Sequence, residues 1–214
     1  MISPNDIKVT KYDLTLFTTL LVVTNIVNNQ LFKANLFDEQ WKNIAVATLL
    51  GVALHGLITN QISSVVNNQL NLHKSSLALV IYDLVKFGTI FVSIRVITSL
   101  LEDKKIEFDK VWMLETGGII AGYGLYSIAI GPIMPPTNKV VQPLFNDSIK
   151  LSMGALAGKF ALGADITNDK VLQFSGVLLS LIIFHLFTKK IVELPESCKP
   201  CKQQEAEKNE EDKH

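Results

Sequence analysis

The stretch LALVIYDLVKFGTIFVSIRVITSLL, from Leu77 to Leu101, decides the fold of this chain. As a helix that rises about 1.5 Å per residue, it is roughly 37 Å long and exceeds the ~30 Å hydrocarbon core of a bilayer. Three ionisable side chains interrupt the run: Asp83, Lys86 and Arg95. Because a charge near the bilayer centre costs about 2.5 to 3.5 kcal/mol, each must be paired, reach the interface or line water.

Composition favours a membrane protein over a water-soluble domain. The 214 residues are 48% hydrophobic and have a mean hydropathy of +0.30, which is apolar for a soluble protein of this size. The formal net charge is +0, so the chain has no overall electrostatic attraction to nucleic acid. The expected partner is the lipid bilayer, and no nucleic-acid partner is expected.

Apolar runs alternate with short polar stretches, which is typical of a polytopic helical membrane protein. Besides 77–101, the firm predicted spans are residues 44–66, 112–134 and 171–192, and the shorter runs are 14–27 and 151–164. The sequence therefore predicts an all-α fold with four to six transmembrane helices and short loops. The run 14–27 reaches spanning length only if its helix continues through Asn28, Asn29 and Gln30.

The predicted organisation has a polar N-terminal segment at 1–13, a helical transmembrane domain at 14–192 and a charged tail at 193–214. The tail lacks apolar periodicity, so we expect it to be disordered or mobile. With six spans, both ends of this multi-pass chain lie on one side of the membrane. A small excess of lysines flanking that side favours cytoplasmic termini.

Glu115 and Lys159 complete the set of charges within the predicted spans. Two interpretations of Asp83, Lys86, Arg95, Glu115 and Lys159 stay open: structural pairs inside a helical bundle, or the lining of an ion or proton path. We expect Lys86 to reach toward the nearer interface and to be neutralised by Asp83, three residues earlier on the same helix.

Arg95 most needs a partner from another helix, because helical side chains tilt toward the helix N-terminus and this tilt directs Arg95 to the bilayer centre. If the spans 77–101 and 112–134 are antiparallel neighbours, Glu115 enters at a similar depth. The sequence therefore predicts an Arg95–Glu115 pair that fixes this hairpin.

Small residues recur at a spacing of four. Gly118 and Gly122 form one GxxxG pair, and Gly154 and Gly158 form another. Because lipid supplies little hydrophobic drive between helices, close backbone approach over small residues provides the attractive contact. We predict helix-packing faces, within the chain or between copies, with a flexible glycine-lined pore as the alternative. Leucine at Gly122 or Gly158 should then be more destabilising than leucine at Ser180.

The cysteines and two of the histidines have several interpretations. Cys198 and Cys201 are too close in sequence to join distant elements, and they form a redox pair, half a metal site or, as we prefer, unmodified or acylated tail residues. His55 and His185 lie inside predicted spans, where an imidazole bonds to a neighbouring helix, relays protons or binds metal. Hydrogen bonding to a neighbouring helix is the more common role.

No metalloprotease, P-loop or nucleophile-elbow motif occurs in the sequence, so we expect neither an enzyme nor a cofactor or metal. The leading expectation is a structural or assembly role in a membrane, in which the tail contacts a second copy or another membrane or capsid-type protein. The rival is a small oligomeric transporter or channel that uses the intramembrane charges. Arg95 is the only arginine beside many lysines, a bias of AT-rich genes that adds the internal membrane of a large DNA virus particle as a location.

Overall fold

The computed structural model describes residues 4–70, 76–133, 141–164 and 167–188. Within these ranges every regular element is a helix and none is a strand, which confirms the all-α prediction. In chain order the elements are α1 (Pro4–Phe32), α2 (Glu39–Leu54), the π-helical turn π1 (His55–Thr59), α3 (Asn60–Gln69), α4 (Ser76–Leu101), α5 (Lys110–Leu125), π2 (Tyr126–Ile130), a 3-10 turn (Gly131–Ile133), α6 (Val141–Ala161), α7 (Asn168–Ile183) and π3 (Phe184–Thr188). The tail at 193–214, with Cys198 and Cys201, lies outside the described residues.

Four of the described helices are long and apolar enough to cross a membrane: Asp6–Phe32, Glu39–Gln69, Leu77–Leu101 and Lys110–Ile133. The first confirms that the helix of the run 14–27 continues through its Asn-Asn-Gln end. For the predicted span 171–192 the described residues contain an apolar helix over Phe174–Thr188, and residues 189–192 lie outside them.

The helices α2 and α5 begin with the same kind of N-terminal cap. The Asp38 carboxylate accepts a hydrogen bond from the Trp41 backbone N–H at 2.7 Å, and Asp109 accepts one from the Trp112 N–H at 2.8 Å. A capping carboxylate satisfies a backbone donor that the first turn of a helix leaves unpaired. The aspartates therefore fix where α2 and α5 start.

The helices form a ring of antiparallel hairpins in chain order, and α7 returns to contact α1. Close approaches over small residues mark the seams: Gly51 of α2 lies against Ile90 of α4, Gly122 of α5 against Gly154 of α6, and Gly176 of α7 against Thr24 of α1. We call the end with the α1–α2, α4–α5 and α6–α7 connections the turn end. The opposite end, where α1, α4 and α6 begin, is the terminal end.

The ring has an apolar outer surface and a polar interior. Phe160, Ile133 and Phe187 are 89%, 78% and 69% exposed, whereas Asp13 and Asp83 are 3% and 4% exposed. A water-soluble domain has the opposite distribution, with large apolar side chains inside and carboxylates outside. The interior therefore holds the candidate functional groups.

Candidate functional site

Six ionisable side chains meet inside the ring near its terminal end, and we call them the charge network: Asp13, Asp83, Lys86, Asp147, Lys150 and His185. They come from α1, α4, α6 and π3, which makes the network the point where the hairpins are joined electrostatically. Counted along their helices, the three aspartates lie roughly 9 to 14 Å from the helix starts.

Asp83 has two partners in the network region. The Lys150 Nζ donates to its Oδ1 at 2.6 Å, and the Ser127 hydroxyl donates to its Oδ2 at 3.0 Å. The Lys86 Nζ instead pairs with Asp13 of α1 at 2.7 Å. The direct partner of Lys86 is therefore Asp13 rather than the predicted Asp83, whose charge acts on Lys86 only as a weaker contribution. Three residues turn a helix by about 300°, so the two side chains diverge by about 60° and reach different helices.

Asp147 and His185 form the third pair of the network. The His185 Nε2 and the Asp147 Oδ2 are 2.8 Å apart, and the side chains are 0% and 36% exposed. The imidazole is thus buried while its carboxylate partner still contacts the surroundings. A carboxylate is an acceptor only, so Nε2 is the nitrogen that carries a proton toward it.

Aromatic rings surround the two lysines. The Lys150 Nζ lies 5.9 Å from the centre of the Phe87 ring and 6.0 Å from that of Tyr123. The Lys86 Nζ lies 5.8 Å from the centre of the Tyr82 ring. Ring faces attract cations while excluding water. Both ammonium groups are therefore held by carboxylates and rings rather than by solvent.

Several buried polar atoms of this region lack a hydrogen-bond partner among the described residues: Asp13 Oδ2, His55 Nε2 and His185 Nδ1. The other nitrogen of His55 lies 3.2 Å from the Thr59 hydroxyl, which in turn is 2.9 Å from the Thr89 hydroxyl. Leaving a polar atom unpaired in a buried setting costs free energy, so such atoms often mark a binding or catalytic role or an internal water.

The predicted Arg95–Glu115 pair is wrong. Arg95 donates from Nε to the Glu107 carbonyl at 2.7 Å and from Nη2 to Asp109 at 3.2 Å. Glu115 instead pairs with Lys159 of α6 at 2.6 Å. Because α5 packs most closely on α6, Glu115 faces α6, and the loop before α5 supplies the nearer acceptors for Arg95.

The connection between α4 and α5 is rich in exposed ion pairs. Lys104 donates to Glu102 at 2.7 Å, and this hydrogen bond and charge lower the pKa of the Glu102 carboxyl. Lys105 lies 3.3 Å from Glu107, with both side chains more than half exposed. The turn end is therefore charged and solvated, unlike the enclosed network at the terminal end.

The four glycines of the GxxxG pairs meet at the α5–α6 seam. A Cβ on Gly118 would lie 2.9 Å from the Gly158 Cα, and one on Gly122 would lie 2.8 Å from the Gly154 Cα. The structure thus places the two pairs against each other within one chain. Ser180, chosen above as a tolerant position, is 0% exposed, so its expected tolerance of leucine is unfounded.

Sequence reasoning missed half of the charge network. Asp83, Lys86 and His185 were singled out from the sequence, whereas Asp13, Asp147 and Lys150 were not. The available signal was repetition: Tyr-Asp-Leu occurs at 12–14 and 82–84, and Asp-x-x-Lys occurs at 83–86 and 147–150. Within the described residues no group of three or more His, Cys, Asp or Glu side chains is arranged to hold a metal ion.

Comparison with known proteins adds no functional information. No protein-family model matches the chain, and neither a curated protein nor a solved structure is similar to it.

Proposed function

We propose that this chain is an integral membrane protein that crosses the bilayer with six helical segments. Four helices have the required length and apolar character. The ring also includes α6 and α7, and the charged groups Asp147, Lys150 and Lys159 of α6 have partners inside it. Pairing removes the main obstacle to placing α6 in lipid. Large exposed apolar side chains around the ring support the same arrangement.

We further propose that the protein is a small transporter or channel for protons or small ions. The observation that carries this proposal is the charge network, six buried or partly buried ionisable groups near unpartnered polar atoms. A buried ion pair stabilises a protein no better than well-packed apolar residues do. A bundle needed only for assembly gains little from such a network, whereas ionisable side chains within membrane helices commonly mark ion and proton paths.

The test is flux through liposomes that contain the purified protein. We expect a pH-sensitive dye or ion-selective electrode to report flux above that of empty liposomes. Asp83→Asn should reduce it at least tenfold, because Asn cannot balance the Lys150 charge or exchange a proton. Glu107→Gln, at an exposed pair, is the matched control and should leave flux unchanged.

Flux no greater than that of empty liposomes, from protein that is monodisperse in detergent, would rule out the transporter. Full flux in Asp83→Asn would show that the charge network is not part of the transport path.

The second candidate is the structural or assembly role. The observation that favours it is that all five intramembrane charges predicted from the sequence have partners inside the chain, so none needs a transported ion. In this case the unmodified chain would give no flux. Assembly of its membrane, including that of a virus particle, would still require the chain. Partner capture that depends on residues 193–214 would identify the tail as the contact.

A further inference from the structure

The three hairpins are α1–α2, α4–α5 and α6–α7. Their second helices have the same length and the same type of continuation. Each of α2, α5 and α7 has 16 residues of α-helix, and each continues directly into five residues of π-helix. π-Helix is rare, well under 1% of residues in globular proteins, and it often marks functional sites. Three such turns at the same position of the described helices indicate that the hairpins are related.

The packing faces of these helices are also in register. Small residues occupy the positions eight and twelve residues after each helix start: Ala47 and Gly51, Gly118 and Gly122, Gly176 and Ser180. The glycines among them at the seams face the first helix of the next hairpin around the ring, and α7 closes the cycle on α1. Three units that each contact the next in the same way are arranged about a pseudo-threefold axis.

The first helices repeat a charge pattern. An aspartate occurs in each, and the residue three positions later differs: Asp13 with Leu16, Asp83 with Lys86, Asp147 with Lys150. The aspartate of the first hairpin pairs with the lysine of the second, and that of the second pairs with the lysine of the third. By the same rule the third aspartate would pair with position 16, where the chain has leucine.

Asp147 receives its partner from another helix. Leu16 packs against the Tyr12–Phe184 contact, and His185, the residue after Phe184, lies 2.8 Å from Asp147. The imidazole therefore stands beside the position from which a third lysine would have reached the carboxylate.

We propose that the three hairpins are diverged copies of one unit, and that the Asp147–His185 pair is the proton-binding link that closes their ring of ion pairs. Two links are made by an ammonium and the third by an imidazole, and histidine is the side chain whose ordinary pKa lies between pH 5 and 8. The inference rests on the proposed transport function and names the proton as the ion concerned.

The atoms define where the proton binds. His185 Nε2 faces the carboxylate and keeps its hydrogen in both charge states, so the exchangeable proton binds at Nδ1. That atom is buried and has no partner among the described residues. Asp147, at 36% exposure, contacts the opposite nitrogen, Nε2, so its carboxylate stabilises the imidazolium and is not the route of the Nδ1 proton.

The other charged and titratable groups around this pair have separate roles. Lys150, on the same helix as Asp147, is hydrogen-bonded to Asp83. Tyr12 of α1 and Tyr126 of π2 lie within electrostatic range of Asp147. Loss of the Nδ1 proton therefore keeps the Nε2–H hydrogen bond to Asp147 but removes the counter-charge, which weakens the third link of the ring.

A lysine transplant tests the proposal. His185→Leu should lower the melting temperature in detergent by roughly 5 to 15 °C, because the partly buried Asp147 carboxylate loses its partner. Adding Leu16→Lys should recover at least half of that loss, since the symmetric position can reach Asp147. Thr15→Lys, one residue earlier and on another face of α1, is the matched control and should recover none.

The pH dependence of the melting temperature and of proton flux is then compared between the unmodified chain and the Leu16→Lys/His185→Leu chain. Between about pH 5 and 8 we expect both quantities to change in the former and to stay flat in the latter.

Equal recovery by the two lysines, or none by Leu16→Lys, would overturn the threefold register. An unchanged pH dependence in the double variant would show that the proton binds elsewhere. If the unmodified chain gives no flux, the transport proposal fails, and the melting temperatures alone decide the proton-binding link.

Discussion

At the scale of single residues, Lys150 tests how strongly the charge network stabilises the fold. Its ammonium lies 2.6 Å from Asp83, which is 5% exposed at the side chain. Removing one member of a buried ion pair costs about 3 to 5 kcal/mol, because the other charge stays buried without compensation. We therefore expect Lys150→Met to lower the free energy of unfolding by about that amount, measured by thermal melting in detergent.

Lys105→Met is the control, because it makes the same substitution at an exposed ion pair of the turn end. Lys105 pairs with Glu107 at 3.3 Å with side-chain exposures of 85% and 57%, and such surface pairs contribute about 0.2 to 1 kcal/mol. Similar losses from both substitutions would mean that Lys150 is solvated in the folded protein and that the network is not enclosed.

At the scale of helices, two nearby glycines of α5 differ in how much space they leave for a side chain. A Cβ on Gly122 would lie 2.5 Å from the Met153 carbonyl oxygen, whereas one on Gly117 would contact nothing within 4 Å. We expect Gly122→Ala to destabilise by about 1 to 3 kcal/mol through forced separation of the backbones. Gly117→Ala should be neutral or stabilise by up to about 1 kcal/mol, because alanine is the better helix former.

Melting temperatures of the two alanine variants check this expectation with a single added methyl group. The comparison replaces Ser180 as the reference position, since Ser180 donates to the Gly176 carbonyl at 2.6 Å in a buried setting. Destabilisation of equal size at Gly117 and Gly122 would contradict a close-packed seam.

At the scale of the whole molecule, the proposed six crossings would place the three connections of the turn end on one side of the membrane and the tail on the other. The chain has two cysteines, Cys198 and Cys201, so a membrane-impermeant maleimide reports the side of the tail directly. With both replaced by serine, Lys104→Cys and Ala164→Cys should be labelled from the side opposite to the native cysteines.

Ala164 decides between four crossings and six. If α6 and α7 did not span the bilayer, the α6–α7 connection would lie on the side of the tail, and Ala164→Cys would be labelled together with the native cysteines. Lys104 serves as the control, because the α4–α5 connection follows a helix that meets the length and hydropathy required for a span.

The candidate site was readable from the sequence only in part. Asp83 and Lys86 stand out as charges within an apolar run, because the cost of burying them in lipid is a local property. Asp13 and Lys150 lie near the polar ends of their own apolar runs, where a charged residue is common. Their pairing becomes evident only when α1, α4 and α6 are brought together. The Arg95–Glu115 prediction failed for the same reason, since it assumed α4 to be the main neighbour of α5.

The sequence by itself determined that the chain is helical and where its long apolar helices lie, because helical hydrogen bonds join residues four apart and the length of an apolar run is a local quantity. Only the tertiary structure decided which charges pair. Asp13 and Lys86 are 73 positions apart, and Asp83 and Lys150 are 67 apart. Such contacts depend on the order of helices around the ring, which is set by seams such as Gly122 on Gly154 and by the return of α7 to α1.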